Sequence, residues 1–168
     1  MTQASKKQAK KRQQKDWGMK VSEDIPMVLV REVNDEIGAV LESIAGGVGA
    51  VGVQVVVIEP TREELRKLCR DLEVAFPGWF KVVSGFGLDE TSFDMELLEE
   101  ATVAQLRVLK EKKIVPVAGK GVTPFDPVAE KGNGFAFNLS DPWSLYVALV
   151  RATETYKFPY DWGNMVKG

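Results

Sequence analysis

Short runs of apolar, often β-branched residues alternate along this chain with segments of helical periodicity. The runs are MVLV (27–30), VQVVVI (53–58), FKVVSGF (80–86) and KIVPVA (113–118). β-Branched side chains suit a pleated, buried surface, so these runs predict buried strands. Strands that alternate with helices form βαβ units, which build a parallel sheet with helices on both faces. The sequence therefore predicts a three-layer α/β domain with strands 27–31, 53–58, 80–84 and 114–118 parallel.

The segments between these runs carry apolar residues at helical spacing. The predicted inner faces are Ile37, Val40, Leu41 and Ile44; Leu65, Leu68 and Leu72; and Leu145, Ala148, Leu149, Ala152 and Tyr156. Asp141, followed by Pro142, predicts the start of the last of these helices. Residues 94–111 have the same spacing, through Met95, Leu98, Thr102, Leu106 and Leu109. This pattern predicts one continuous helix over 94–111.

The first residues differ in composition from the rest of the chain. SKKQAKKRQQK is basic and glutamine-rich, which predicts a solvated helix or tail over 1–17, ahead of a single domain over 18–168. Clustered lysines and arginines can neutralise phosphates. The segment has no interleaved aromatic residues to stack on bases, so we expect no sequence-specific binding to nucleic acid.

Composition excludes several classes of function. The 168 residues include no histidine and one cysteine, Cys69, and the net charge is −2. Without histidine, a Ser-His-Asp or Cys-His site is excluded, and the commonest metal ligand is missing. We expect neither a metal nor a cofactor. No apolar run reaches the roughly 20 residues of a membrane helix, and no signal peptide is visible. We expect an intracellular protein, of the cytoplasm or a plastid, that is not secreted.

GVGAVG (47–52) matches the glycine pattern of dinucleotide-binding loops. That pattern normally follows a strand and opens a helix, whose N-terminus then faces the pyrophosphate. Here the glycines follow a predicted helix and precede a strand. Gly46 and Gly47 are instead expected to end the helix and begin a flexible connection.

Several motifs, in order, resemble the C-terminal, nucleotide-binding domain of glycogen and starch synthases, which are two-domain GT-B glycosyltransferases. They are VQVVVIEP, FPGWFKVVSGF, VAQLRVLKEKKIVPVA, FDPVAEKGNGFAF and LYVALVRATETYKFPYDWGNMVKG. The resemblance implies a Rossmann-like domain. It covers most of the chain but extends to none of the family's N-terminal half. A family strand before the segment VAQL is expected to be missing or overwritten.

The resemblance also implies where a sugar-nucleotide diphosphate would bind. The family holds it with an arginine and a lysine after the first strand. Arg31 matches the arginine, although it is also typical of a strand-end arginine paired with a carboxylate. The family's lysine would fall near Glu36 or Ile37, and no lysine is present there. The family's next loop contains glycines, whereas this chain has Ile58-Glu59-Pro60.

Two further family motifs have only partial counterparts. Counting back from Gln105 places Glu99 on the family's sugar-contacting glutamate, but the proline and glycine that shape that loop are absent. GKGVTP (119–124) stands where the family has a phosphate-cradling glycine loop, which makes Gly119, Lys120 and Gly121 a candidate anion site.

These differences predict a degenerate synthase-like domain that acts as a non-catalytic binding or scaffolding protein. The alternative is the ADP- or UDP-glucose-binding half of a split glycosyltransferase. We expect no glucosyl transfer by this chain alone. A protein partner or a second copy is expected on the face formed by the carboxyl ends of the strands. The candidate interface residues are Phe86, Phe158, Tyr160 and Trp162.

Overall fold

The computed structural model describes residues 2–167, which form one six-stranded parallel sheet with helices on both faces. The strands are β1 (Met27–Val30), β2 (Gln54–Ile58), β3 (Phe80–Val83), β4 (Met95–Glu100), β5 (Val115–Lys120) and β6 (Phe135–Ala136). The helices are α1 (Gln3–Asp16), α2 (Asp35–Val51), α3 (Glu63–Ala75), α4 (Val103–Glu111), α5 (Pro142–Tyr156) and α6 (Pro159–Lys167). The strand order, β3-β2-β1-β4-β5-β6, is that of a Rossmann-like sheet. The predicted fold class is confirmed.

The sheet buries apolar side chains on both faces. In β1, Val28 and Val30 pack with α2, α3 and α5. Met27 and Leu29 pack on the opposite side with Phe93, with Leu109 of α4 and with Ile114, just before β5. A strand buried on both faces reads as a continuous apolar run rather than an alternating one, which explains MVLV and VQVVVI.

The prediction of one helix over 94–111 is wrong. Residues 95–100 form β4, which pairs in parallel with β1 on one side and β5 on the other. Thr102 then begins α4 with a capping box, in which its side chain accepts from the Gln105 N–H and the Gln105 side chain accepts from the Thr102 N–H. The strand expected to be missing is therefore present, and it lies in the middle of the sheet.

The N-terminal segment is helical and exposed over much of its surface, but Ala9, Lys10 and Gln14 on one face of the helix are buried. Lys10 of α1 is buried, and its ammonium group donates to the carbonyls of Glu23 and Ile25, to Asp94 Oδ2 and to the Tyr156 hydroxyl. One turn later, the buried Gln14 side chain donates to Gln54 Oε1. These polar contacts fix α1 against the amino ends of β1, β2 and β4. The division of the chain near residue 17 stays a prediction.

Gly47 and Gly49 of GVGAVG lie inside α2, so the prediction that Gly46 and Gly47 end this helix is wrong. The helix continues to Val51 and ends at Gly52, which has a left-handed conformation (φ 84°). A Cβ at Gly47 would lie 2.4 Å from the Tyr146 ring, so this glycine lets α2 and α5 approach closely. Packing, and not phosphate binding, explains the motif.

Candidate functional site

A crevice lies where the strand order reverses, at the carboxyl ends of β1 and β4, which is the usual ligand position in open α/β sheets. Its volume is about 510 Å³. It is lined by Arg31, Glu32, Val33, Asn34, Ile37, Leu97, Leu98, Glu99, Glu100, Thr102 and Gln105. This lining contains one cation and three carboxylates. The electrostatic field in the crevice therefore opposes the binding of a diphosphate.

Arg31 directly follows β1, and its guanidinium group is held by two carboxylates. Its Nε lies 2.9 Å from Glu96 Oε1, and one terminal nitrogen pairs with Glu90. Lys112 pairs with the other oxygen of Glu90, so the four side chains form one network. A phosphate that approached Arg31 would have to compete with both carboxylates.

The pKa shifts in this network follow from burial and from the charges. Burial raises the pKa of Glu96, although Arg31 opposes the shift. Burial also acts to raise the pKa of Glu90, but Lys112 and Arg31 outweigh it and the pKa falls. For Arg31, burial acts to lower the pKa, but Glu96 and Glu90 raise it overall. Arg31 is therefore a fixed cation that carboxylates of the same chain already compensate.

Glu99 lies near the end of β4 and not on a helix. Its carboxylate accepts a hydrogen bond of 2.5 Å from the Asn34 side-chain amide, across the crevice. Only Ala101 and Thr102 connect β4 to α4, so no loop is present that could carry a glutamate toward a sugar.

The Ile58-Glu59-Pro60 segment continues the pairing of β2 with β3 by one residue. The Glu59 N–H donates to the Val83 carbonyl, and the Glu59 carboxylate pairs with Arg70 of α3. The chain thus continues straight beyond β2, where a glycine turn would have let a ligand approach the backbone.

Gly119 and Lys120 belong to β5, and Gly121 follows it with φ 87°. A Cβ at Gly119 would lie 2.8 Å from the Glu99 carbonyl oxygen, and one at Gly121 would lie 2.0 Å from that of Ala101. The close approach of β5 to the end of β4 thus accounts for both glycines. The candidate anion site at these residues stays a prediction.

The four candidate interface residues do not share one surface. Phe86, which is 96% exposed, follows β3 at the carboxyl ends of the strands. Phe158 and Tyr160 are exposed near the α5–α6 turn. This turn lies toward the amino ends of the strands, since the nearby Tyr156 contacts Lys10 and Glu23 there. Trp162 is only 8% exposed, stacks on Phe135 and meets Tyr156 edge-on. Trp162 attaches the last helix to the core, and the assignment of this residue to an interface stays a prediction.

Sequence reasoning missed the polar cluster around Lys10. It also missed Glu90 and Glu96, which form ion pairs with the Arg31 guanidinium group. One signal for Glu96 was visible, because a lone carboxylate between Met95 and Leu97 is unusual in a buried strand and requires a cation. Lys112 and Lys10 lie far from their partners in sequence, so no local pattern reveals them.

Within residues 2–167, no group of three or more acidic, cysteine or histidine residues is placed to hold a metal ion. No helix in that range has the length and apolarity to cross a membrane.

A parallel sheet of this order with a crevice at the reversal of strand order is the architecture of a Rossmann-like domain. No protein-family model matches the chain. A glycogen synthase of Fervidobacterium nodosum is 26% identical over 178 aligned positions, which cover 96% of this chain and 36% of that protein. The catalytic domain of starch synthase IV from Arabidopsis thaliana, solved with ADP and acarbose, superposes with a TM-score of 0.72 at 19% identity, covering 96% of this chain and 38% of that one.

The resemblance to glycogen and starch synthases is thereby confirmed. The chain spans little more than a third of the length of either protein.

Proposed function

We propose that this domain is a non-catalytic, synthase-like binding or scaffolding module whose donor crevice no longer holds a sugar nucleotide. The observation that carries this proposal is the pairing of Arg31 with Glu96 and Glu90. In the crevice, Glu32, Glu99 and Glu100 add negative charge, and no lysine lines it. Two phosphates placed there would meet net repulsion. The proposed setting is the cytoplasm or a plastid.

Calorimetric titration with ADP, UDP, ADP-glucose and UDP-glucose tests this proposal. We expect no saturable heat from the native chain and no incorporation of labelled glucose into a glucan primer. The double variant Glu90→Gln, Glu96→Gln leaves Arg31 without its carboxylate partners. We expect it to bind ADP more tightly than the native chain, because the competition for the guanidinium is removed. Measurable glucosyl transfer by the purified chain would contradict the proposal.

A second candidate is the sugar-nucleotide-binding half of a split glycosyltransferase. It is favoured by the match of Arg31 to the family arginine and by the ADP in the structure of starch synthase IV. This candidate predicts ADP or UDP binding that Arg31→Ala weakens by about tenfold or more, the effect of losing a charged hydrogen bond. Arg12→Ala is the matched control, since Arg12 is an exposed residue of α1 outside the crevice. Equal effects of the two substitutions would reject a donor site at Arg31.

The scaffolding role requires a surface, and Phe86 is the proposed anchor. It is a fully exposed aromatic residue at the carboxyl ends of the strands, near Gly85 and Gly87. Exposed apolar patches mark interaction sites, and Phe86 is the most exposed of the large apolar side chains that the structure describes. Sedimentation equilibrium of the native chain and of Phe86→Ser would detect self-association on this face. Val74→Ser, an exposed apolar position on α3, is the control. If both variants associate like the native chain, Phe86 is not an anchor for self-association.

A further inference from the structure

A second cavity lies at the amino-end edge of the sheet, opposite the crevice. It has a volume of about 210 Å³ and is enclosed by the first half of α1, the end of α4, and α6. Its lining consists of Thr2, Gln3, Lys6, Lys7, Lys10, Thr91, Asp94, Glu111, Lys112, Lys113, Tyr156, Pro159, Trp162, Gly163 and Val166. Arg31 does not line this cavity, and Lys112 is the one lining residue that also belongs to the Arg31 network.

The lining is positively charged although the whole chain is acidic. Five lysines face two carboxylates, whereas the net charge of the chain is −2. Lys10 has partners for its three hydrogens, and Lys112 pairs with Glu90. Two of the five lysines are therefore already engaged in strong contacts.

The ammonium group of Lys6 can still donate a hydrogen bond to an anion. Its ammonium group donates to the carbonyls of Lys113, at 2.8 Å, and of Lys112, at 3.3 Å, where α4 ends. An ammonium group has three hydrogens, and among residues 2–167 no third acceptor is found for this one. Burial lowers the pKa of Lys6 to about 8; Asp94 opposes this, while Lys10 and Lys113 add to it. The surroundings of Lys6 thus favour an added negative charge.

The other wall of the cavity is apolar and contains an unexplained glycine. Trp162, Pro159 and Val166 of α6 form this wall. Gly163 lies in the interior of the same helix, where glycine is disfavoured. A Cβ built on it meets no atom within 4 Å, and its φ is not positive. Neither packing nor backbone conformation requires glycine here, and the missing side chain leaves space beside the cavity.

We propose that this cavity binds a small organic anion. The carboxylate or phosphate of the ligand accepts a hydrogen bond from Lys6, and its ring lies against Trp162, Pro159 and Val166. The cavity is smaller than the ~300 Å³ at which pockets for drug-sized ligands begin, so the ligand is about the size of one substituted ring. The charge on one wall and the apolar surface on the other are both required for this ligand.

Four probes separate the two halves of the site. Phenyl phosphate and benzoate carry both ring and charge, inorganic phosphate carries only charge, and benzyl alcohol carries only the ring. Because Trp162 lines the cavity, its indole fluorescence reports binding, and calorimetry gives the affinity. We expect saturable binding of one or both aromatic anions and much weaker binding of inorganic phosphate and benzyl alcohol. The aromatic anion that binds more tightly shows whether the acidic group of the ligand is a phosphate or a carboxylate.

Two substitutions assign the binding to this cavity. Lys6→Gln removes the cation, and Gly163→Leu fills the cavity while leaving every charge in place. Each is expected to weaken binding of the aromatic anion by about tenfold or more. Lys15→Gln, on the same helix but outside the cavity, is the control and should not change the affinity. Circular dichroism establishes that each variant is folded.

Three results would overturn the proposal. The first is the absence of saturable binding of either aromatic anion at millimolar concentration. The second is equal binding of inorganic phosphate and phenyl phosphate, because the apolar wall would then contribute nothing. The third is unchanged affinity in the folded Gly163→Leu variant, because the ligand would then lie elsewhere.

Discussion

Lys10 and Asp94 form a buried ion pair that joins α1 to the residue just before β4. The Lys10 ammonium lies 3.0 Å from Asp94 Oδ2, and their side chains are only 2% and 6% exposed. The same carboxylate oxygen accepts from the Met27 N–H at the start of β1. One ion pair thus links the first helix to the amino ends of β1 and β4. The carboxyl ends of the same two strands flank the crevice.

The first prediction concerns this pair. Lys10→Met leaves the Asp94 carboxylate buried without its cation, so we expect the free energy of unfolding to fall by about 3–5 kcal/mol. Lys11→Met is the control, since Lys11 pairs with Glu23 at the surface, where the loss of an ion pair changes stability little. Urea unfolding measures both values. Similar losses in the two variants would mean that the buried pair has no special contribution.

Deletion of residues 1–15 extends the same argument. If this segment were the solvated helix or tail that its basic composition predicts, its removal would leave the melting temperature almost unchanged. The buried contacts of Lys10 and Gln14 instead predict a loss of many degrees. The carbonyls of Glu23 and Ile25 and the Asp94 carboxylate would lose the Lys10 ammonium as a donor, and the Gln54 side chain would lose that of Gln14. Differential scanning calorimetry of the truncated chain decides between the two expectations.

Much of the fold could be predicted from the sequence because its strongest signals are local. β-Branched runs located β1, β2, β3 and β5 to within a few residues. β4 was missed because four of the eight residues in FDMELLEE are acidic, which is unusual for a central strand, and because Met95, Leu98 and Thr102 have helical spacing. The capping box of Thr102 and Gln105 was the local signal that a helix begins only there.

The candidate site was harder to predict because its charged residues form ion pairs with residues far away in the sequence. Asp94 is compensated by Lys10, and Glu96 by Arg31, at separations of 84 and 65 residues. A local pattern cannot show such pairs, so the acidic residues of this segment were consistent with the predicted helix over 94–111. The sequence did leave open that Arg31 pairs with a carboxylate, and the structure has that pairing.

The next prediction compares two adjacent glycines of α2. A Cβ at Gly46 meets no atom within 4 Å, whereas one at Gly47 would lie 2.4 Å from the Tyr146 ring. Gly46→Ala should raise the free energy of unfolding by up to about 1 kcal/mol through helix propensity. Gly47→Ala should lower it by about 1–3 kcal/mol, because the ring must move.

Urea unfolding of the two variants measures these opposite changes. In a Tyr146→Ala background the clash is gone, so Gly47→Ala should no longer destabilise. Changes of the same sign at Gly46 and Gly47 in the native background would contradict the packing of α2 against α5.

A third prediction concerns Cys69 of α3. Burial raises the pKa of its thiol from 9.0 to about 11, and the residue is 2% exposed. Since the thiolate is the reactive form, the folded chain should react with iodoacetamide at pH 8 at least about a hundredfold more slowly than the urea-unfolded chain. The variant Cys69→Ser, Val74→Cys moves the thiol to an exposed position on the same helix and should react rapidly when folded. Fast modification of native Cys69 would show that this part of α3 opens readily.

The last prediction concerns stability at alkaline pH and rests on Lys6. Its pKa is lowered from 10.5 to about 8 by burial, with Lys10 and Lys113 adding to the effect and Asp94 opposing it. Below pH 8 the folded and unfolded chains both hold the proton. Between about pH 8 and 10.5 the folded chain has released it while the unfolded chain retains it, so the contribution of Lys6 to the free energy of unfolding rises with pH. Because Lys6 is partly solvated, we expect a rise of about 1–2 kcal/mol.

The measurement is the difference in free energy of unfolding between the native chain and Lys6→Gln across this range. Taking the difference removes the opposite contributions of Cys69 and Tyr156, whose pKa values burial raises and which therefore destabilise the fold at high pH. The difference should increase in favour of the native chain from pH 8 upward. Lys15→Gln should give a difference that does not vary with pH. If the Lys6→Gln difference is equally flat, Lys6 keeps an ordinary pKa and does not lie in the positive, partly buried surroundings that its contacts with Lys112 and Lys113 indicate.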